Sequence, residues 1–253
     1  MTLPPKQGLY DPSKSSCSCG VGFITRKDGI RTHEILQMGH EAMCSVPHRG
    51  GMSSKGVGDG AGISIDLSPE FFSKLTGRDL KAGYFGVGNF FLNEKIATKS
   101  SVLIEKKLLS YGFEIIKKRF IKVNDSVLRK DAVDQQYPIC QWIFSIPDDL
   151  SDKDKAKRIH KVLIEIESVA FVDEQFDGLY PLSLSSHTQV LKGRLNSWEI
   201  MPYFDDLNDH DHKVHTLYFH TRFSTNTDPH PSMAQPFRLM AHNGELNTDK
   251  KID

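Results

Sequence analysis

The apolar run from Gly20 to Thr25 reads as a strand, closed by the turn residues Lys27-Asp28-Gly29. Thr32 to Cys44 changes period: Ile35, Leu36, Met38 and Met43 fall near one face of a helix. A glycine-rich stretch follows, Pro47-His48-Arg49-Gly50-Gly51 and then Gly56 to Gly62. Ile63 to Leu67 alternates as a strand does, and Tyr84 to Phe91 is a second, aromatic strand. Asn93 to Ser110 is helical, with Gly112 placed to cap its C-terminus. Phe113 to Val123 and Ile139 to Ile146 read as strands, and Ser151 as the N-cap of an amphipathic helix reaching about Glu167. The final third is β-rich. Tyr180–Ser185 and Thr188–Lys192 read as a hairpin around Ser186-His187; Val214–His220 and Phe237–Ala241 are further strands. Strands and helices in this mixed order, without internal repeats, predict a layered fold rather than a regular βαβ array.

Composition narrows the classes. The chain has 253 residues and equal numbers of acidic and basic side chains, 32 of each. A general nucleic-acid binder would carry a basic excess, so nucleic acid is not an expected partner. No apolar run approaches the length of a membrane span, so no membrane association is expected. Residues 1–18 are polar, contain Pro4, Pro5 and Pro12, and lack the apolar core of a secretory signal. They read as a flexible leader, and the protein as cytoplasmic with free thiols. Cys17 and Cys19 have no second pair at zinc spacing. Cys44 and Cys140, flanked by apolar residues, read as small buried hydrophobes. Cys19 differs, because Gly20 and Gly22 beside it allow close approach of backbone or ligand.

Acyl chemistry on a carboxamide needs a nucleophile, a base, donors for the oxyanion and groups that hold substrate charges. Cys19 is a candidate nucleophile, Asn243-Gly244 a candidate oxyanion hole, and Arg222 and Arg49 candidate carboxylate forks. No His or Asp adjoins Cys19 as a base. The bland alternatives are an inert thiol at Cys19, a type I′ turn at Asn243-Gly244 and surface or salt-bridged arginines. His210, His212, His215 and His220, with Asp209 and Asp211 nearby, suggest a metal, but no tight ligand set closes, so none is expected. The Gly56–Gly62 loop lacks the Gly-Lys-Ser/Thr ending of a phosphate loop. Lys117-Lys118-Arg119 reads as a solvated strand face.

Taken in order, Cys19-Gly-Val-Gly-Phe-Ile, His48-Arg49-Gly50, Gly58-Asp-Gly-Ala-Gly62, Arg222-Phe-Ser-Thr-Asn-Thr227 and Ala241-His-Asn-Gly-Glu-Leu-Asn-Thr248 resemble class II glutamine amidotransferases. The likeness is closest to the N-terminal glutaminase domain of glutamate synthase large subunits. It implies an α+β fold, the four-layer αββα sandwich of N-terminal-nucleophile hydrolases, with two antiparallel sheets flanked by helices. It implies removal of the 1–18 leader, leaving a 19–253 domain whose Cys19 supplies both nucleophile and α-amino base. That amine titrates at roughly 7.7–8.0, near working pH. Asn243 and Gly244 then stabilise the oxyanion, Arg222 binds the α-carboxylate of L-glutamine, Arg49 shapes that site, and Thr225 and His242 support it. The resemblance implies no cofactor for this chain; FMN and an iron–sulfur cluster would belong to a separate glutamate synthase domain or a subunit acting in trans. Two departures stand out. The family's Asp for the substrate ammonium lies beyond the last residue here, so the domain reads as truncated at its C-terminus. Asp249-Lys250-Lys251 also replaces an expected Arg-Gly continuation. A catalytically inactive remnant acting in docking or regulation is the alternative.

Overall fold

The computed structural model describes residues 20–46, 51–53, 55–222 and 236. Its elements in chain order are β1 (Val21–Thr25), α1 (Glu34–Ser45), β2 (Ala61–Asp66), α2 (Pro69–Thr76), β3 (Phe85–Phe91), α3 (Ala97–Ser110), β4 (Glu114–Phe120), α4 (Lys130–Val133), β5 (Ile139–Ser145), α5 (Asp152–Val172), β6 (Tyr180–Ser185), β7 (Thr188–Gly193), α6 (Ile200–Tyr203) and β8 (Thr216–His220). The strands form two antiparallel four-stranded sheets, ordered β1-β8-β2-β7 and β4-β5-β3-β6. Helices α1 and α6 contact the first sheet, and α3 and α5 the second. This is the expected αββα layering. The predicted strand at Phe237–Ala241 lies outside the described residues.

Local chemistry explains most of the boundaries. Ser151 caps α5 by accepting from the Asp154 amide at 3.2 Å. Helix α3 follows a short 3-10 turn at Glu94–Ile96 and ends as Gly112 predicts. Gly112 sits at φ +82°, its N–H bonds Leu109 O at 3.0 Å, and the Phe113 N–H reaches back to Leu108 O at 3.2 Å. That bond pair closes a left-handed helix end, a backbone region in which glycine carries no side-chain penalty. Substituting Ser151 with alanine is expected to cost about 1 kcal/mol of stability. Urea unfolding checks this, and an unchanged midpoint would refute the cap's role.

Three readings of the elements need correction. First, β6 and β7 do not pair as a hairpin. The Ser186-His187 connection carries the chain from one sheet to the other, so β6 pairs with β3 and β7 with β2. The turn itself is real: Ser185 Oγ accepts from the amides of His187 and Thr188 at 3.0 and 3.2 Å. The outer edge of β7 is met by side chains of the second sheet. The Val190 amide donates to Ser183 Oγ at 3.1 Å, and Asn89 Nδ2 donates to Val190 O at 3.1 Å. Second, Met38 is exposed, and Gly39 occupies the buried place on α1. A Cβ on Gly39 would lie 2.6 Å from a Leu217 methyl, so the close approach of α1 to β8 requires glycine there. Third, α2 joins the helices read from sequence. Its start at Ser68-Pro69 and its stop at Gly77 (φ +70°) follow the usual rules for helix ends.

The cores sit where these layers meet. Trp142, Phe90, Phe113 and Phe144 pack with Ile104 and Leu108 of α3 and with Val162 and Ile166 of α5. Ile63, Ile65, Leu217 and Phe219 join Ile35, Leu36 and Met43 of α1, and Phe91, Ile139 and Leu182 of the second sheet. Phe71 and Phe72 of α2 close the far end against Phe85 and Val87. A chain of buried amides crosses between the sheets. Gln141 Nε2 donates to Asn89 Oδ1 at 2.9 Å, and Asn89 and Gln141 both reach Gln189 Oε1 at 3.3 Å. Arg119 ends this chain, donating to Gln141 Oε1 at 2.9 Å and gripping Asp206 through both Nη atoms. Lys117-Lys118-Arg119 is therefore not a free solvated face. Lys117 bonds Leu75 O, Lys118 pairs with Glu105, and the Arg119 side chain is only 14% exposed.

Candidate functional site

Residues flanking the open end of the first sheet form the candidate site. The β1–β8 register places Val21 opposite His220, and the pairing continues one step further, with the Thr221 amide donating to Gly20 O at 2.7 Å. Across the sheet, the Val21 row continues through His220 to Gly62 and Lys192. Gly62 has no room for a side chain, because an added Cβ would lie 2.4 Å from Lys192 Cβ and 2.8 Å from Pro236 Cδ. Lys192 is 2% exposed, and its ammonium lies 5.5 Å from the centre of the Tyr180 ring. The chain leaving β8 delivers Arg222, whose amide donates to His220 Nδ1 at 3.1 Å. Burial pushes the His220 imidazole down to about 4, so it stays neutral near pH 7 and can accept that bond.

The glycine-rich stretch meets Arg222 from the other side. The Asp59 amide donates to Gly51 O at 2.7 Å, and Met52 and Gly58 form an antiparallel bridge. Gly58 packs on the chain at Leu195 and Asn196, where a Cβ would lie 2.4 Å from the Leu195 carbonyl. Asn196 is fixed in turn by a reciprocal cap with Glu199 and donates to Gly56 O at 3.4 Å. The outcome is a loop held by its own backbone that presents the Asp59 carboxylate to Arg222, Oδ2 to Nε 3.4 Å. The glycines here serve close packing and turning.

Of the residues assigned to the site from sequence, Arg222 lies among those described, next to Asp59. Cys19, Arg49, Thr225, His242, Asn243 and Gly244 lie outside the described residues. The acid that the structure places beside Arg222, Asp59, is not singled out by the sequence. It falls within the glycine loop, where it is the one acid of the Gly58–Gly62 motif.

The histidines disperse. His212 is fully buried, stacked on Phe71 at 4.3 Å, with Nδ1 2.9 Å from Asp206 O. His215 Nδ1 lies 2.8 Å from Asp66, and the His210 ring meets that of His33. Among the described residues, no three His, Cys, Asp or Glu side chains converge as a metal site would need. Cys140 is buried, which pushes its thiol up to about 11 and keeps it unreactive at neutral pH. Cys44 corrects the sequence reading: it is exposed, one step around α1 from buried Met43, and its sulfur lies 3.7 Å from the His40 ring.

Comparison with known proteins defines the class. The family model of class II glutamine amidotransferases matches residues 19–251, and the chain belongs to that family. Its curated relatives are glutamate synthases. The chain is 32% identical over 97% of its length to the NADH glutamate synthase of Saccharomyces cerevisiae, covering 12% of that protein. It is 32% identical over 95% of its length to the NADPH glutamate synthase large chain of Azospirillum brasilense, and over 97% to that of Bacillus subtilis, covering 16% of each. The chain thus spans roughly an eighth to a sixth of the length of these relatives. It is a class II glutamine amidotransferase domain homologous to the corresponding part of glutamate synthases. Among the described residues, no helix is long and apolar enough to cross a membrane.

Proposed function

We propose that this domain hydrolyses the side-chain amide of L-glutamine with Cys19 as an N-terminal nucleophile. Removal of residues 1–18 frees the Cys19 α-amine, which takes the thiol proton directly or through water. The sulfur attacks the side-chain carbonyl, and Asn243 and Gly244 stabilise the oxyanion. The proton passes to the departing ammonia. Water then cleaves the γ-glutamyl thioester to glutamate. Arg222 holds the α-carboxylate, Arg49 shapes that pocket, and Thr225 and His242 support it. The ammonia serves a glutamate-synthase-type domain or subunit in the cytoplasm, and FMN and iron–sulfur chemistry belong to that part and not to residues 19–253.

The observation that carries this reading is the start of the family match at Cys19 itself. The Gly20–Thr221 bond adds support, since it ties the residue after Cys19 to the residue before Arg222. Only a free terminal nitrogen can act as the base, because the same nitrogen inside a chain is an amide. The test is intact-mass analysis of protein from native cells, followed by labelling with a diazoketone analogue of glutamine. A mass beginning at Cys19 and one label, lost in Cys19→Ala, are expected. A polypeptide that keeps its leader and takes no label would overturn the mechanism.

A further inference from the structure

We propose that Asp59 is a positioning residue for substrate recognition, holding the Arg222 guanidinium in the orientation that receives the glutamine α-carboxylate. The inference deepens the function proposed above and rests on it.

Three observations point this way. The Asp59 Oδ2–Arg222 Nε separation is 3.4 Å, with the side chains 25% and 35% exposed. The pair is thus partly withdrawn from water, where a charge pair acts more strongly than on an open surface. Asp59 is itself held by its surroundings. Its amide bonds Gly51 O, and its neighbour Gly58 packs so closely on the chain at Leu195 that an added Cβ would lie 2.4 Å from that carbonyl. Finally, Gly51 leaves the room in which the pair forms: a Cβ there would lie 1.5 Å from Asp59 Oδ2 and 3.0 Å from Arg222 Nε. An absent side chain, a carboxylate and a guanidinium therefore meet at one point.

The chemistry follows from the shape of arginine. A long side chain loses rotamer freedom when it grips a ligand. An acid that orders it beforehand removes much of that penalty at binding. Contact through Nε uses the inner edge of the guanidinium. A planar carboxylate can be bound bidentately by the edge between the two Nη atoms as well as by the Nε edge. Asp59 at Nε and a substrate carboxylate at the Nη edge are compatible in one geometry. An acid gripping the Nη edge would compete with the substrate.

The experiment compares Asp59→Asn with wild type in the full native chain, using two substrates. One is L-glutamine. The other is L-glutaminamide, whose α-carboxylate is replaced by an amide. With glutamine, a KM raised about tenfold and a kcat within about twofold are expected, since binding is lost and not the chemical step. With glutaminamide both constants should move less than about twofold. Gly51→Ala should give the same pattern, because its methyl displaces the carboxylate. Thermal melting of each variant separates this pattern from simple loss of fold, which would depress both substrates alike. Equal losses on the two substrates overturn the inference. So does a KM for glutamine that stays constant or falls, which would make Asp59 a neutral neighbour or a competitor. A wild type inert toward glutamine would sink the functional reading and this inference together, whereas an active wild type with equal losses in the variant sinks the inference alone.

Discussion

Cys19→Ala is expected to leave no measurable glutamine hydrolysis, and Asn243→Ala to lower kcat by about 10²–10³ while KM changes little. The two losses differ in kind. In the proposed mechanism, alanine at position 19 would remove the atom that forms the thioester, so the covalent route would disappear. In that mechanism, alanine at position 243 would remove one donor to an oxygen that bears full negative charge only in the tetrahedral state, and Gly244 would keep the other. The effect therefore falls on the transition state and spares the bound ground state. Arg222→Ala should show the opposite split, because the α-carboxylate carries its charge before and after the reaction. Steady-state kinetics of the three variants, each confirmed to be folded, decides the matter. A large KM effect with unchanged kcat in Asn243→Ala would remove that residue from the oxyanion hole.

Much of the fold was written locally. Ser151, Gly112 and the Lys27-Asp28-Gly29 turn mark their boundaries through bonds made within a few residues, and such signals can be read from the chain alone. Partner choice between strands cannot. Tyr180–Ser185 and Thr188–Gly193 carry a proper turn between them, yet what sends them to different sheets is distant: Asn89 and Ser183 side chains meet β7 where a hairpin partner would have been. Distance also hid the fate of Arg119, a surface residue by its neighbours in sequence and half-buried because Asp206 and Gln141 reach it. Met38 and Gly39 illustrate the same limit, for the helical pattern is blind to the Leu217 methyls that select glycine. The site was legible as a set of motifs and poorly legible as physics. Arg222 stands out through its Arg-Phe-Ser-Thr-Asn-Thr motif, while Asp59, which pairs with it, is hidden between glycines.

Acid should destabilise this protein well above the range where carboxylates titrate. His220 falls from its ordinary 6.5 to about 4, with burial as the main cause. Its Nδ1 also accepts the Arg222 amide, a bond that protonation would forfeit. Burial lowers the fully buried His212 as well, against an opposing pull from the Asp206 carbonyl. The sign follows from proton counting. Between the two His220 values the unfolded chain binds a proton that the folded chain refuses, so stability is complete above about 6.5 and declines as pH falls toward about 4. At 1.36 kcal/mol per pKa unit, His220 alone removes about 3 kcal/mol by pH 4, and His212 adds to it. Folding free energies of about 5–15 kcal/mol make that a large share. Carboxylates held low by partners act in a different window: Asp28, paired with Arg26, falls from 3.8 to about 2 and matters only below that upper value. Urea unfolding at steps from pH 7.5 to 4 should therefore show a decline that begins near 6.5, and His220→Gln should flatten it by close to one proton. If the variant keeps the wild-type slope, the buried imidazole beside Arg222 is not the source, and the neutral acceptor assigned to that position is wrong.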